Sequence, residues 1–470
     1  MAEASDYDVI VIGSGAAGLC AALEAERAGA RVLISEAEGV VGGSSRLSGG
    51  IMLGAGTRYQ DRQGITDSAD DMYRHYMTLN GWQVQPSLAR TFCDNAGPTI
   101  DWLGDLGLEF LGVYSAGDEF VPRGHVTKGG EDIVAVLHSA VRASNTIDIA
   151  LGRRIDRLLV ENGRVVGVAV GEDSVRSGAT VLACGGLGAN KKMLADFCPS
   201  AIRAGRDWLW YVGADGSRGD GITLTLPLGA QIVGRDRVQL TTRPNFGHSI
   251  EANFPGWLMT VNASGQRFYD ELSPYSVTQT IILAQEGPVF ALFDDAMKQD
   301  TTPDAATSAK KEVVPGRRSE DWAGWRIDEM IKAGVVHQAD TIEQLAKAIS
   351  VPPENLAYTV ERYNGHAMSG FDADYLKNPK NMKPISTPPF YATELRPHMI
   401  GLTAVGPRID PMCRLLGSNS EPIPGLFGAG ECTGGVLGPM YAGSGNSLAN
   451  AVTFGRIAGR NAAAIAVGDR

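Results

Sequence analysis

Apolar positions along this chain alternate between two periods, and the first change of period is the most informative. Val9-Ile10-Val11-Ile12 is apolar without a break, the pattern of a strand buried on both faces, and it runs directly into Gly13-Ser14-Gly15-Ala16-Ala17-Gly18. Residues 19–28 then place Leu19 and Leu23 four apart, which predicts a helix packed on a sheet. Residues 31–35 predict a second strand that ends at Glu36, followed by Ala37. In such a strand–turn–helix–strand unit the glycines permit a tight turn, let backbone N–H groups approach a pyrophosphate, and bring helix against strand. Glu36 stands where an acceptor for ribose hydroxyls is expected. NAD and FAD both use this arrangement, so the βαβ unit alone leaves the choice open.

Further segments share its character. Gly42-Gly43-Ser44-Ser45-Arg46-Leu47-Ser48-Gly49-Gly50 has too few apolar positions to be core and predicts a loop. Thr180-Val181-Leu182-Ala183-Cys184-Gly185-Gly186 predicts an apolar strand entering a glycine turn, and residues 425–435, containing Gly430 and Glu431, repeat that pattern. Gly445-Asn446-Ser447-Leu448 opens a predicted helix over 449–464. Residues 158–168 predict a hairpin turning at Asn162-Gly163. The block between these segments predicts a strand pair at 257–262 and 266–269, and a helix that starts at Thr341 with Gln344 in capping-box spacing. Residues 301–320 have no strong period and predict a loop. These shifts divide the chain into 1–235, 236–385 and 386–470, an α/β nucleotide-binding domain interrupted by an α+β insertion.

Composition narrows the class. A chain of 470 residues that is 44% hydrophobic buries an ample core in more than one domain. A net charge of −11, with only short basic pairs, argues against nucleic acid and anionic membranes as partners. No apolar run approaches the ~20 residues of a membrane span, and Met1-Ala2-Glu3-Ala4-Ser5-Asp6 does not read as a signal peptide, so a cytoplasmic location is expected. The six cysteines form no C-x-x-C or C-x-x-C-H motif; neither an iron–sulfur cluster, c-type haem nor another resident metal is expected.

Taken together, the glycine segments resemble the FAD-binding subunits of the fumarate reductase and succinate dehydrogenase superfamily over nearly the whole chain. The resemblance implies a Rossmann-like FAD-binding domain with an inserted capping domain. It also implies FAD held through Gly13, Gly15, Ala16, Ala17, Gly18, Glu36, Ala37, Gly43, Ser44, Ser45, Ser48, Gly49, Gly50, Ala183, Gly185, Gly186, Gly430, Glu431 and the Gly445–Leu448 turn. No histidine lies in the Ser44–Gly50 loop, where covalently flavinylated relatives carry one, so the FAD is expected to be non-covalent.

Three substrate positions depart from the fumarate reductase pattern. The proton-delivering arginine is matched by Tyr275 in Asp270-Glu271-Leu272-Ser273-Pro274-Tyr275, the substrate-clamping arginine by Tyr441 in Tyr441-Ala442-Gly443-Ser444-Gly445, and a histidine by Leu402. At these points the chain is similar to the 3-ketosteroid-Δ1-dehydrogenases and their cyclic-ketone relatives. That implies desaturation of a cyclic ketone, with Tyr275 as base and the Tyr441 hydroxyl and Gly445 N–H as donors to the carbonyl oxygen. A steroid and a cyclohexanone derivative such as 4-oxocyclohexanecarboxylate both fit. The electron acceptor, whether quinone, oxygen or a redox protein, is unassigned. Tyr114 is a candidate third aromatic; Arg123, Arg243 and His248 are candidates to meet an acidic substituent, each against a structural or surface role. Reduction of an enoate or enone, and a non-catalytic flavoprotein, are the alternatives.

Overall fold

The computed structural model describes residues 5–117, 120–248, 255–300 and 320–468. The chain forms two compact units. The first comprises Met1–Ile202, Tyr211–Gln239 and Ile400–Arg470; the second comprises Arg203–Trp210 and Leu240–Met399.

The first unit is built on a sheet whose central strand, Tyr7–Ile12, pairs in parallel with Val32–Ser35 on one side and Asp173–Leu182 on the other. Val32–Ser35 continues in parallel to Ile147–Ala150, and Asp173–Leu182 to Pro422–Gly428. Val9, Ile10 and Val11 are fully buried, as their unbroken apolar run requires. The helix that follows spans Ala16–Arg27, beginning within the glycine motif rather than after it. It packs against the C-terminal helix Asn446–Gly468 through small residues. A Cβ at Gly455 would lie 2.3 Å from the Ala17 carbonyl oxygen, and one at Gly459 would lie 2.0 Å from that of Ala21. The alanine and glycine content of both helices is therefore a packing requirement, because larger side chains would force them apart.

The hairpin Arg157–Glu161 and Arg164–Val170 turns through Asn162 and Gly163, both at positive φ (49° and 76°), as a type I′ turn demands. The Gly42–Gly50 segment is not wholly loop: Gly43–Arg46 forms one helical turn.

In the second unit Val289–Asp294 pairs antiparallel with Met259–Val261 on one edge and with the first half of Phe390–Thr403 on the other. Its core is aromatic, with Phe293 stacked on Tyr391 at 5.2 Å and Trp257 and Trp322 packed around Phe293. The helix Ile342–Ala348 starts at Thr341, whose side chain accepts the Gln344 N–H. The strand pair expected at 257–262 and 266–269 is not formed. Gly265, at φ 76°, closes a turn with a single Asn262–Gln266 backbone bond, and residues 266–269 continue as irregular chain. Arg267 is instead drawn into a buried ionic network, bidentate to Glu271 at 2.9 Å and 2.8 Å from Asp372, with Lys377 3.2 Å from Glu271. The loop expected at 301–320 falls, for 301–319, outside the described residues. The break expected between 385 and 386 lies between Met399 and Ile400, inside the long strand Phe390–Thr403.

Candidate functional site

The glycine motif makes a cradle whose closeness is measurable. Gly13 has φ 105°, and a Cβ on it would lie 2.4 Å from the Ala183 carbonyl oxygen; one on Gly18 would lie 1.9 Å from that of Gly13. Gly15, the N-cap of the helix Ala16–Arg27, offers no side-chain cap, and that helix has no acid in its first turn. Its N-terminal N–H groups and dipole suit an anion. The Ala16 N–H donates to Ser45 Oγ at 3.0 Å, which ties the Gly43–Arg46 turn to the same helix end. A Cβ on Gly43 or Gly49 would meet nothing within 4 Å, so these two glycines border open space, whereas Gly50 is pressed on Gly129 and Thr127. The Ser48 hydroxyl turns back to the Ser45 carbonyl at 2.8 Å.

Glu36 is buried at the end of Val32–Ser35, next to half-buried Ala37. Its Oε2 accepts the Ser14 N–H at 2.8 Å and the Ser14 hydroxyl at 2.5 Å, and its Oε1 accepts the Glu38 N–H at 2.8 Å. On the opposite side of the sheet's C-terminal edge, Gly185 and Gly430 adopt positive φ (71° and 76°). A Cβ on Gly186 would lie 2.1 Å from Glu431 Oε1. Glu431 accepts the Thr403 N–H at 2.8 Å and the Thr403 hydroxyl at 3.1 Å; burial pushes its carboxyl up to about 7 against those two bonds.

The last turn joins this cradle to a second, apolar nest. Gly445, at φ 98°, packs where a Cβ would lie 2.8 Å from the Ile51 backbone, and its carbonyl accepts the Leu53 N–H. Asn446 begins the C-terminal helix; its Nδ2 lies 3.5 Å from the Tyr76 hydroxyl, while its buried Oδ1 has no hydrogen-bond partner among the described residues. Leu448 is buried behind it. The Ser447 N–H donates to the Tyr441 hydroxyl at 3.1 Å. Tyr441 packs on Leu402, Ala404 and Leu437. Burial pushes its phenol up to about 12, outweighing the Ser447 N–H, so it is protonated at neutral pH. Two positions matched from separate motifs, Leu402 and Tyr441, thus meet in one cluster.

Tyr275 belongs to the second unit, as the first residue of the helix Tyr275–Leu283 behind Pro274. The turn leading to it is held by the Ser273 N–H on the Asp270 carbonyl and by the buried Glu271, which also accepts the Thr260 N–H at 3.0 Å. Tyr114 ends the short strand Gly112–Tyr114, and its ring folds over Gly112. It is Ala116, two residues on, whose carbonyl accepts the Ser444 N–H at 2.7 Å and so supports the Gly443–Gly445 turn. Arg123 is committed to Asp67 through two bonds of 2.7 and 2.8 Å, a structural role. Arg243 lies 3.9 Å from Asp321, and exposed His248 stands edge-on to Trp210.

Sequence reasoning missed Tyr211, whose hydroxyl lies 3.2 Å from Ser44 Oγ and whose ring is pressed on Gly188 and Gly213. It also missed Thr403 and Ser14. Ser14 was legible as the variable position between two motif glycines; nothing in the sequence marks Tyr211.

Residues 8–448 match the FAD binding domain family, and the chain belongs to it. It is an FAD-dependent oxidoreductase of the CH–CH class. It is 31% identical to the fumarate reductase (cytochrome) of Shewanella frigidimarina over 97% of this chain and 77% of that one. Against the digoxin reductase of Eggerthella lenta it is 30% identical, covering 98% and 87%. Among solved structures it is similar to the 3-ketosteroid-Δ4-(5α)-dehydrogenase of Rhodococcus jostii in complex with 4-androstene-3,17-dione, with TM-score 0.79, 28% identity and 98% of each chain covered. The acid-free start of the helix Ala16–Arg27, the open glycines at 43 and 49 and the Asn446 oxygen, unpartnered among the described residues, fit a large ligand with an anionic centre and a donor-bearing ring, as FAD is. None of the described residues about this cradle is a histidine on the Ser44–Gly50 loop. Acid or heat precipitation of the yellow protein should therefore leave its FAD in the supernatant; flavin that stays with the pellet would contradict non-covalent binding.

Proposed function

We propose that this oxidoreductase converts a cyclic ketone to its α,β-unsaturated ketone, with FAD bound non-covalently. The observation that carries the reading is the neutral phenol of Tyr441 in an apolar nest of Leu402, Ala404 and Leu437, at a position where a dicarboxylate site needs a cation. Bound FAD supplies acceptance of the hydride from the β carbon. The protein's share is to make the α proton removable and to receive it.

Tyr441 serves as donor to the ketone oxygen. Its hydroxyl oxygen accepts the Ser447 N–H, and at about 12 its phenol keeps its proton at working pH. Gly445, whose φ of 98° only glycine adopts without strain, presents a backbone N–H as second donor. Tyr275 takes the α proton. As the first residue of a helix it stands at the positive end of the dipole, which favours the phenolate a base must be.

Anaerobic mixing with saturated cyclic ketones should bleach the flavin, and succinate should not. Bleaching by succinate at a rate matching any ketone would return the chain to dicarboxylate chemistry, and no bleaching by any ketone would leave a flavoprotein of another kind. A second reading, reduction of an enone by the same residues, is favoured by relatives named as reductases. Enone-dependent reoxidation of the chemically reduced flavin, faster than ketone-dependent bleaching, would select it.

A further inference from the structure

One half-buried cation beside the Tyr441 nest, Arg237, has no carboxylate partner among the described residues. The carbonyl of Arg237 accepts the Ala404 N–H at 2.9 Å, which fixes the residue alongside the Leu402–Ala404 wall of the nest. Its guanidinium Nη2 donates to the Gln83 carbonyl at 2.7 Å. Gln83 lies in the turn that closes the helix Ala69–Leu79, and in that turn Asn80 Oδ1 accepts the N–H of Met440, the residue before Tyr441, at 3.0 Å. Both ends of Arg237 are therefore tied to segments that carry the nest.

Several buried or half-buried arginines of the first unit are neutralised by carboxylates, whereas Arg408 is met by the neutral side chains of Gln85 and Gln231. Arg123 pairs with Asp67 at 2.7 Å, Arg456 with Glu24 at 2.7 Å and Arg154 with Asp220 at 2.5 Å. Arg237 has no carboxylate within ion-pair distance among the described residues, and burial holds its guanidinium below the usual value with only the Tyr76 phenol acting in the opposite sense. Its single bond to Gln83 uses one of five donors, leaving a fork that suits a carboxylate. A partly desolvated, uncompensated guanidinium gains most from an anion brought by a ligand.

We infer that Arg237 binds a carboxylate carried by the substrate, so that the ketone is a cyclic keto acid rather than a neutral steroid. This rests on the ketone reading above, and it replaces the arginines suggested by sequence with one the sequence did not mark. A purely structural role, as a fastener for the Gln83 turn, predicts equal effects on charged and neutral ligands; carboxylate recognition predicts unequal ones.

The test compares the parent with Arg237→Gln, which keeps a donor for Gln83 but removes the charge, and with Arg237→Lys. Substrates are 4-oxocyclohexanecarboxylate and its methyl ester, and benzoate and benzamide serve as unreactive probes read by perturbation of the bound flavin spectrum. In Arg237→Gln, KM for the keto acid should rise ~10–100-fold with kcat within threefold, the ester should change less than threefold, and benzoate should lose its preference over benzamide. Arg237→Lys should restore part of the loss. Equal weakening of acid and ester, or a parent that binds benzoate no tighter than benzamide, would overturn the assignment. If the ester bleaches the flavin of the parent as well as the acid does, Arg237 is not a carboxylate site while ketone dehydrogenation stands; if neither bleaches, the ketone reading itself fails, and the benzoate preference judges Arg237 alone.

Discussion

Replacing Tyr275 by Phe is expected to slow ketone-dependent flavin reduction by ~10²–10⁴, the range typical of losing a general base. The ring remains, so helix Tyr275–Leu283 should start where it does, behind Pro274 and the Asp270–Ser273 turn. Ketone affinity should change little, because a base touches the α hydrogen and contributes to the barrier rather than to ground-state binding. FAD content should also be unchanged, since every residue assigned to the FAD cradle lies in the first unit and Tyr275 in the second. Single-turnover stopped-flow at saturating ketone measures the rate, and the visible flavin spectrum measures occupancy. A variant that reduces its flavin within about threefold of the parent would return Tyr275 to an ordinary helix-start residue. A loss of FAD alongside the loss of rate would instead place Tyr275 in the structure of the site.

How much of this was legible depends on the range of the forces involved. The turn Gly13–Gly18 and the acid Glu36 were readable because their geometry is dictated within a few residues: one strand, one positive φ at Gly13, one helix start. The Asn162-Gly163 hairpin was readable for the same reason. The failed strand at 266–269 shows the limit. Its residues carry strand-like propensity, but Arg267 is committed to Glu271 and to Asp372, and that second partner comes from a distant part of the chain. Ion pairing across such a separation overrides local preference without leaving a local trace. Tyr211 beside Ser44 and Arg237 beside Ala404 were invisible for the same cause. The long strand Phe390–Thr403 also hid the place where one unit ends, since the strand continues through Met399 without interruption. Leu402 and Tyr441 could be singled out one at a time by matching motifs; that they share one apolar cluster became apparent only from the fold.

Tyr441→Phe tests the donor role and should act on two quantities at once. The phenol is held by Leu402, Ala404 and Leu437 on its apolar side and by the Ser447 N–H at its oxygen. Phe preserves the first contact and strands the second, leaving the Ser447 N–H at the start of the helix Asn446–Gly468, one of the N-terminal positions that commonly bond to water. Folding should therefore survive. Flavin reduction should slow by about a hundredfold, the effect of removing one donor from a developing oxyanion, ~3 kcal/mol. Binding of phenol-like enolate mimics should weaken by a similar factor while saturated ketones bind nearly as before, because the hydrogen bond strengthens only as charge builds on the oxygen. With Tyr441 protonated up to about 12, the parent's rate should show no loss from this group as pH rises through the neutral range. Equal weakening of ketone and enolate mimic would mean that the phenol shapes the pocket without stabilising the transition state. A rate within about threefold of the parent would remove Tyr441 from the chemistry and leave Gly445 as the sole candidate donor.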